Sequence, residues 1–217
     1  MRLRWRIAQF FEKYWWRRYL GKKDKQSYLE WKRTYWRHFL ETCKLTVPDH
    51  STVLDAGCGP AGIFISLAGQ QVDALDPLLD FYEKTLPHFS RHDYPGVRFI
   101  ARPLEHFQPG KQYDCVFCLN AINHVSRLDT AIDRLAALTK TGGTLTVSID
   151  AHNFSFLKRL FRLVPADILH PHQHDLEEYS RFMTERSFEL TRQVLVKKGL
   201  IFNYYVLSGT KKPSTGN

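Results

Sequence analysis

Residues 52–62 read Thr-Val-Leu-Asp-Ala-Gly-Cys-Gly-Pro-Ala-Gly. A short apolar run, Thr52–Ala56, enters a turn in which Gly57, Gly59 and Gly62 fit the spacing G-x-G-x-x-G. Glycines in such a turn reach positive φ and let a ligand come close to the backbone, which a side chain would prevent. Asp76 ends the next apolar run, Gln71–Leu75, and follows Gly57 by 19 positions (76 − 57). An acidic side chain about 20 residues after such a turn is placed to accept hydrogen bonds from ribose hydroxyls. The turn therefore holds an adenosine-like group, and spacing alone leaves a nicotinamide dinucleotide open.

Working outward, the chain alternates short apolar runs with amphipathic ones. Strands are expected at Thr52–Ala56, Gln71–Leu75, Val97–Ala101, Asp114–Leu119 and Leu145–Ile149. Helices are expected at Gly62–Gly69, Leu78–Leu86 and Leu128–Thr139, the last ended by Gly142-Gly143. Alternation of this kind implies a doubly wound, mostly parallel sheet with right-handed crossovers. Phe188–Val196 and Ile201–Leu207 differ, because only Lys197-Lys198-Gly199 and Leu200 separate them. So short a link permits an antiparallel hairpin and forbids a parallel crossover. The expected fold is α/β and Rossmann-like, with a seven-stranded sheet, a C-terminal antiparallel hairpin and an N-terminal helical extension.

Three features turn the reading away from a dehydrogenase. Asp55, two residues before Gly57, would repel a pyrophosphate but suits a cationic ligand. Tyr113–Asn120 brings an apolar strand to the switch point of the sheet, where ligands of such folds sit. A terminal antiparallel hairpin is foreign to the six-stranded dinucleotide fold. Taken in order, VLDAGCG, ALD, ARPLEHF, YDCVFCLNAINHV and LTKTGGTLTVSID resemble the class I S-adenosylmethionine-dependent methyltransferases, in particular the UbiE-like or methyltransferase type 11 group. The resemblance covers roughly residues 50–207. It implies S-adenosyl-L-methionine as cofactor, with Asp55, Gly57 and Gly59 around the methionine moiety. Asp76 would take the ribose hydroxyls, with Pro77 and Leu78 near the adenine. Pro103, Leu104 and Glu105 would border the adenine, and Asn120 and Ala121 the methionine end. The family often has a third glycine where this chain has Ala61, with Gly62 displaced by one.

Methyl transfer needs a base only when the acceptor arrives protonated. His124, just after the fourth strand, is the expected general base, since imidazole titrates near neutral pH. His170, His172 and His174 alternate along Pro-rich sequence and are expected at the acceptor's edge of the pocket. No metal is expected there, because nothing near them has ligand spacing. Cys115 and Cys118 lie in an apolar run and are expected as core thiols, without a second pair to complete a metal site.

The chain has 217 residues and a formal charge of +9. Residues 1–44 hold 13 Lys and Arg against 4 Asp and Glu, and all five tryptophans. Residues 45–217 hold 18 of each sign, so the whole excess lies in the N-terminal segment. Leu3, Ile7, Phe10, Phe11, Tyr14 and Trp15, then Tyr28, Trp31, Tyr35, Phe39 and Leu40, recur at helical spacing. Two amphipathic helices follow, with three readings: aromatic faces packed on the catalytic domain as a roof, attachment to an anionic membrane surface, or RNA binding. RNA is disfavoured, because the rest of the chain has no basic excess and lacks an Asn-Pro-Pro-Tyr-like motif. Ala151–His174 mixes Phe154, Phe156, Leu157 and Phe161 with Lys158, Arg159 and Arg162, which predicts an amphipathic lid helix. The organisation expected is a helical cap over 1–44, a catalytic domain over 45–210 and a frayed tail over 211–217. The expected activity is methyl transfer to a small or lipid-like acceptor, at oxygen, in the cytoplasm or on the inner membrane face. RNA methylation and cofactor binding without transfer are the alternatives.

Overall fold

The computed structural model describes residues 3–152, 174–199 and 202–213. Seven strands form one sheet: β1 (Thr52–Ala56), β2 (Gln71–Leu75), β3 (Val97–Ile100), β4 (Tyr113–Cys118), β5 (Thr139–His152), β6 (Phe188–Lys197) and β7 (Phe202–Lys211). Their order is β3-β2-β1-β4-β5-β7-β6. Strands β1 to β5 pair in parallel, and β7 is antiparallel to both β5 and β6. The helices are α1 (Leu3–Leu20), α2 (Lys25–Thr42), α3 (Leu79–Thr85), α4 (Leu128–Leu138) and α5 (Leu176–Thr184).

The central strands are apolar on both faces because each face is covered, as parallel sheets require. Successive residues point to opposite sides, so Val53 joins the layer beneath α2 and α3 while Leu54 joins the layer beneath α4 and α5. The chain runs outward from β1 to β3, then returns to place β4 on the other side of β1. That reversal leaves a crevice at the carboxyl ends of β1 and β4.

Two local expectations are corrected. Gly62–Gly69 is not an α-helix: 3-10 turns occupy Gly59–Ala61 and Ile63–Ser66. Tertiary contacts override local propensity here. The Trp36 indole donates to the Ala61 carbonyl at 3.0 Å, and Phe64 N donates to Asp55 Oδ2 at 3.1 Å. Gly142 and Gly143 do not end a helix but lie within β5, where the register against β4 shifts. Gly142 has φ +77, and a Cβ on Gly143 would stand 2.9 Å from the carbonyls of Asp114 and Lys140.

α1 bears on the readings left open for the N-terminal helices: Ile7, Phe10, Phe11, Tyr14 and Trp15 are 36–67% exposed. The opposite side of α1 faces the protein instead. Leu20 is fully buried, and Trp16 packs edge-on against Tyr82. α2 buries Tyr28, Leu29, Trp36 and Phe39 and leaves Trp31 half exposed. Lys211 closes β7, and its Nζ donates to the Ala136 and Thr139 carbonyls. The expected lid helix lies, from 153 to 173, outside the described residues.

Candidate active site

The turn after β1 is built by its neighbours. Gly57 N and Cys58 N both donate to the Leu75 carbonyl, at 2.7 and 3.1 Å. Gly57 has φ +76, and a Cβ there would lie 2.2 Å from the Ala121 Cβ. Gly59 has φ +58 and donates its N–H to Asp76 Oδ2 at 3.0 Å. The other oxygen of Asp76 accepts from Leu78 N at 2.8 Å. Asp76 is thus fixed at the end of β2, with one hydrogen bond on each oxygen and further lone pairs available.

The turn borders an open cleft of about 910 Å³, solvent at its mouth included. Of the residues expected from sequence, Gly57, Gly59, Asp76, Pro77, Pro103, Leu104, Glu105, Asn120, Ala121 and His124 all line it. Asp55 does not. It is 2% exposed beneath the turn, where its carboxylate holds Phe64 N, and a Cβ on Gly62 would stand 2.4 Å from it. Gly62 therefore serves the approach of Asp55 to the turn. Burial, followed by the charge of Asp76, pushes the Asp55 carboxyl up to about 7.

On the far wall, Asn120 adopts φ +55, and its N–H donates to Ser148 Oγ on β5 at 2.7 Å. His124 ends the 3-10 turn Ile122–His124, and its N–H donates to the Ala121 carbonyl at 3.0 Å. Two anchors fix this loop. The Tyr179 hydroxyl of α5 donates to Asn123 Oδ1 at 2.8 Å. Glu105 Oε1 accepts from Ser126 N and Ser126 Oγ at 2.9 and 2.8 Å. Glu105 thus ties the adenine-side turn to the His124 loop in addition to lining the cleft.

The N-terminal helices supply residues the sequence reading did not assign to the site: Gln9, Glu12 and Trp16 from α1, Lys32 and Trp36 from α2, and Arg102 after β3. Burial first, then Asp76, pushes Glu12 up to about 7. Burial also pushes the Lys32 amine down to about 8, opposed by the attraction of Asp55. Its Nζ lies 4.5 Å from the Trp36 ring centre. Gln9, Glu12 and Trp16 recur at i, i+3 and i+7, a single helical face; polar Gln9 and Glu12 beside a tryptophan were the available signal.

His174 is placed away from the cleft. It packs against Tyr179 and Phe182, with Nδ1 3.3 Å from Glu178 Oε2, just before the Asp175–Glu178 capping box of α5. His174 stands at the start of α5, and His170 and His172 lie outside the described residues. Cys43, Cys58, Cys115 and Cys118 are free and buried. Among the described residues, no group of three or more His, Cys, Asp and Glu side chains is placed to hold a metal.

These residues fit S-adenosylmethionine: a carboxylate at the end of β2 for a ribose diol, apolar walls for adenine, and a glycine cradle that a Cβ would fill. Lys32 offers a cation for a carboxylate.

The model of a family described as a methyltransferase domain matches residues 28–193. A ubiquinone biosynthesis O-methyltransferase of Rickettsia typhi is 28% identical over 176 residues, covering 76% of this chain and 70% of that protein. Solved structures share the fold. The 1,6-didemethyltoxoflavin-N1-methyltransferase of Burkholderia thailandensis superposes with a TM-score of 0.61 at 14% identity, over 95% of this chain and 88% of that one. The magnesium protoporphyrin IX methyltransferase of Synechocystis PCC 6803 gives 0.59 at 18% identity, over 94% of each chain. With the family match spanning most of the chain and the cleft assembled from the expected motifs, the chain belongs to the class I S-adenosylmethionine-dependent methyltransferases.

Proposed function

We propose that the enzyme methylates a hydroxyl of a small, lipid-like acceptor, with His124 as general base. The observation that carries this reading is the position of His124. It stands on the cleft wall beside Asn120 and Ala121, on a loop held at both ends, with Trp16, Leu119 and Val125 among the apolar residues around it. The Rickettsia relative is named for O-methylation in ubiquinone biosynthesis, which agrees with an apolar acceptor that carries a hydroxyl.

Bound in this cleft, S-adenosylmethionine supplies a sulfonium methyl group, and its transfer to oxygen leaves the thioether S-adenosylhomocysteine. The chain's own residues orient and exclude water. Asp76 would accept from the ribose hydroxyls, Pro77 and Leu104 would flank the adenine, and the Gly57–Gly59 turn would admit the methionine end. An imidazole nitrogen of His124 takes the hydroxyl proton as the acceptor oxygen forms its new bond, and then returns it to water. The test is transfer to a prenylated phenol or catechol. His124→Ala should lose roughly 10²–10⁴-fold in kcat, the usual contribution of such a base, with cofactor affinity kept. Turnover within twofold of wild type would end the base assignment. Equal transfer to the matching amine would end the preference for oxygen.

A further inference from the structure

The exposed face of α1 is a feature that the reaction leaves unused. α1 is two-sided: Gln9, Glu12 and Trp16 line the cleft, while Phe10, Phe11, Tyr14 and Trp15 project from the opposite side at 67%, 47%, 59% and 51% exposure. Ring contacts link this face, through the buried Tyr28, to the half-exposed Trp31 of α2. Trp15 stacks on Tyr19 at 4.7 Å, Tyr19 meets Tyr28 at 6.3 Å, and Tyr28 meets Trp31 at 6.0 Å. Arg18 shares this side of α1 by helical spacing, while Lys13 and Arg17 lie over the Phe81 ring, 5.6 and 5.2 Å from its centre. An exposed apolar patch of this kind on a folded chain marks an interaction surface.

We propose that this face docks on an anionic lipid bilayer, with α1 lying in the plane of the headgroups. Charge complementarity selects the partner. Residues 1–44 hold the whole excess of the chain, 13 cations against 4 anions, while the remainder is balanced. An interfacial helix combines just these features: bulky aromatic rings on one side with Lys and Arg around them. RNA could stack its bases on the rings, but the remainder of the chain carries no basic excess to follow a phosphate backbone. A second copy of the same face would bring like charges together. In this orientation the membrane covers one side of α1 and the cleft the other, so the mouth opens near the headgroups. Docking is separate from the identity of the acceptor, so vesicle binding and methyl transfer are read independently.

The experiment is sedimentation of the full chain with phosphatidylcholine vesicles, with or without about 30% phosphatidylglycerol, at about 0.1 M and about 0.5 M salt. Wild type should bind the anionic vesicles at low salt, at least tenfold more tightly than the neutral ones. The variant Phe10→Ser/Phe11→Ser/Trp15→Ser changes only exposed side chains and should lose that binding at least tenfold. Its melting temperature and S-adenosylmethionine affinity should stay those of wild type. Arg18→Glu, a milder change, should lower vesicle affinity and weaken its salt dependence. The proposal is overturned if wild type ignores anionic vesicles, or if the triple variant binds them equally. Tighter binding to structured RNA at the same salt overturns it too, as does a lipid-free dimer that the triple variant abolishes.

Discussion

Gly57→Ala tests the construction of the site most directly. Two penalties add. A non-glycine residue at φ +76 sits in the left-handed region, which costs about 1–2 kcal/mol. The new methyl would also stand 2.2 Å from the Ala121 Cβ, where ordinary contact begins beyond 3.4 Å. The loop that carries Ala121 and His124 must therefore shift by more than 1 Å, at roughly the 1–3 kcal/mol typical of overpacking. The sum, about 2–5 kcal/mol, corresponds to a fall in melting temperature of roughly 4–20 °C in a chain of this size. Differential scanning calorimetry reads this, and titration calorimetry reads the accompanying loss of S-adenosylmethionine affinity. The double variant Gly57→Ala/Ala121→Gly removes the clash but keeps the strain, so a double-mutant cycle should show coupling of about 1–3 kcal/mol. Wild-type stability and affinity in the single variant, or no coupling in the cycle, would refute the reasoning.

Protonation supplies another prediction. Asp76 is pushed up to about 6, and Glu12 and Asp55 to about 7, burial leading in each case. The folded state therefore holds these protons more tightly than the unfolded chain. Their effect is most favourable below about pH 4 and is lost as pH rises to about 7, so melting temperature measured without ligand should decline across that window. Cofactor affinity should run the other way. Ionised Asp76 accepts the ribose hydroxyls, so affinity should fall below about pH 6, by up to tenfold per unit, and Asp76→Asn should flatten the profile. Trp36→Phe strips the buried Ala61 carbonyl of its donor and should cost about 1–3 kcal/mol in urea unfolding.

Strand positions were legible because burial on both faces writes a continuous apolar run, and Thr52–Ala56, Gln71–Leu75 and Phe188–Lys197 sit within a residue of expectation. The glycine turn and Asp76 were legible because backbone conformation and ribose recognition restrict residue type. Gly62–Gly69 misled because its neighbours, Asp55 and Trp36, set its conformation, and no local pattern encodes them. α1 stayed open for a different reason. An amphipathic period fixes which residues share a side, but both sides of this helix hold aromatics, so the period cannot say which side meets the protein. Glu12 and Lys32 belong to the site only through tertiary placement, and their altered proton affinities follow from burial that exists only after α1 and α2 dock.

β6 touches the sheet solely through β7 among the described strands, yet β7 follows it in the chain. During synthesis β6 emerges with no partner, while the outer edge of β5 stands bare until β7 slides between them. Completion of the sheet is thus a late, long-range event of the slow kind. A chain cut between residues 198 and 202 would display two unpaired edges at once, a template for association with other chains. For this enzyme, the vulnerable moment in its production is the interval before β7 arrives.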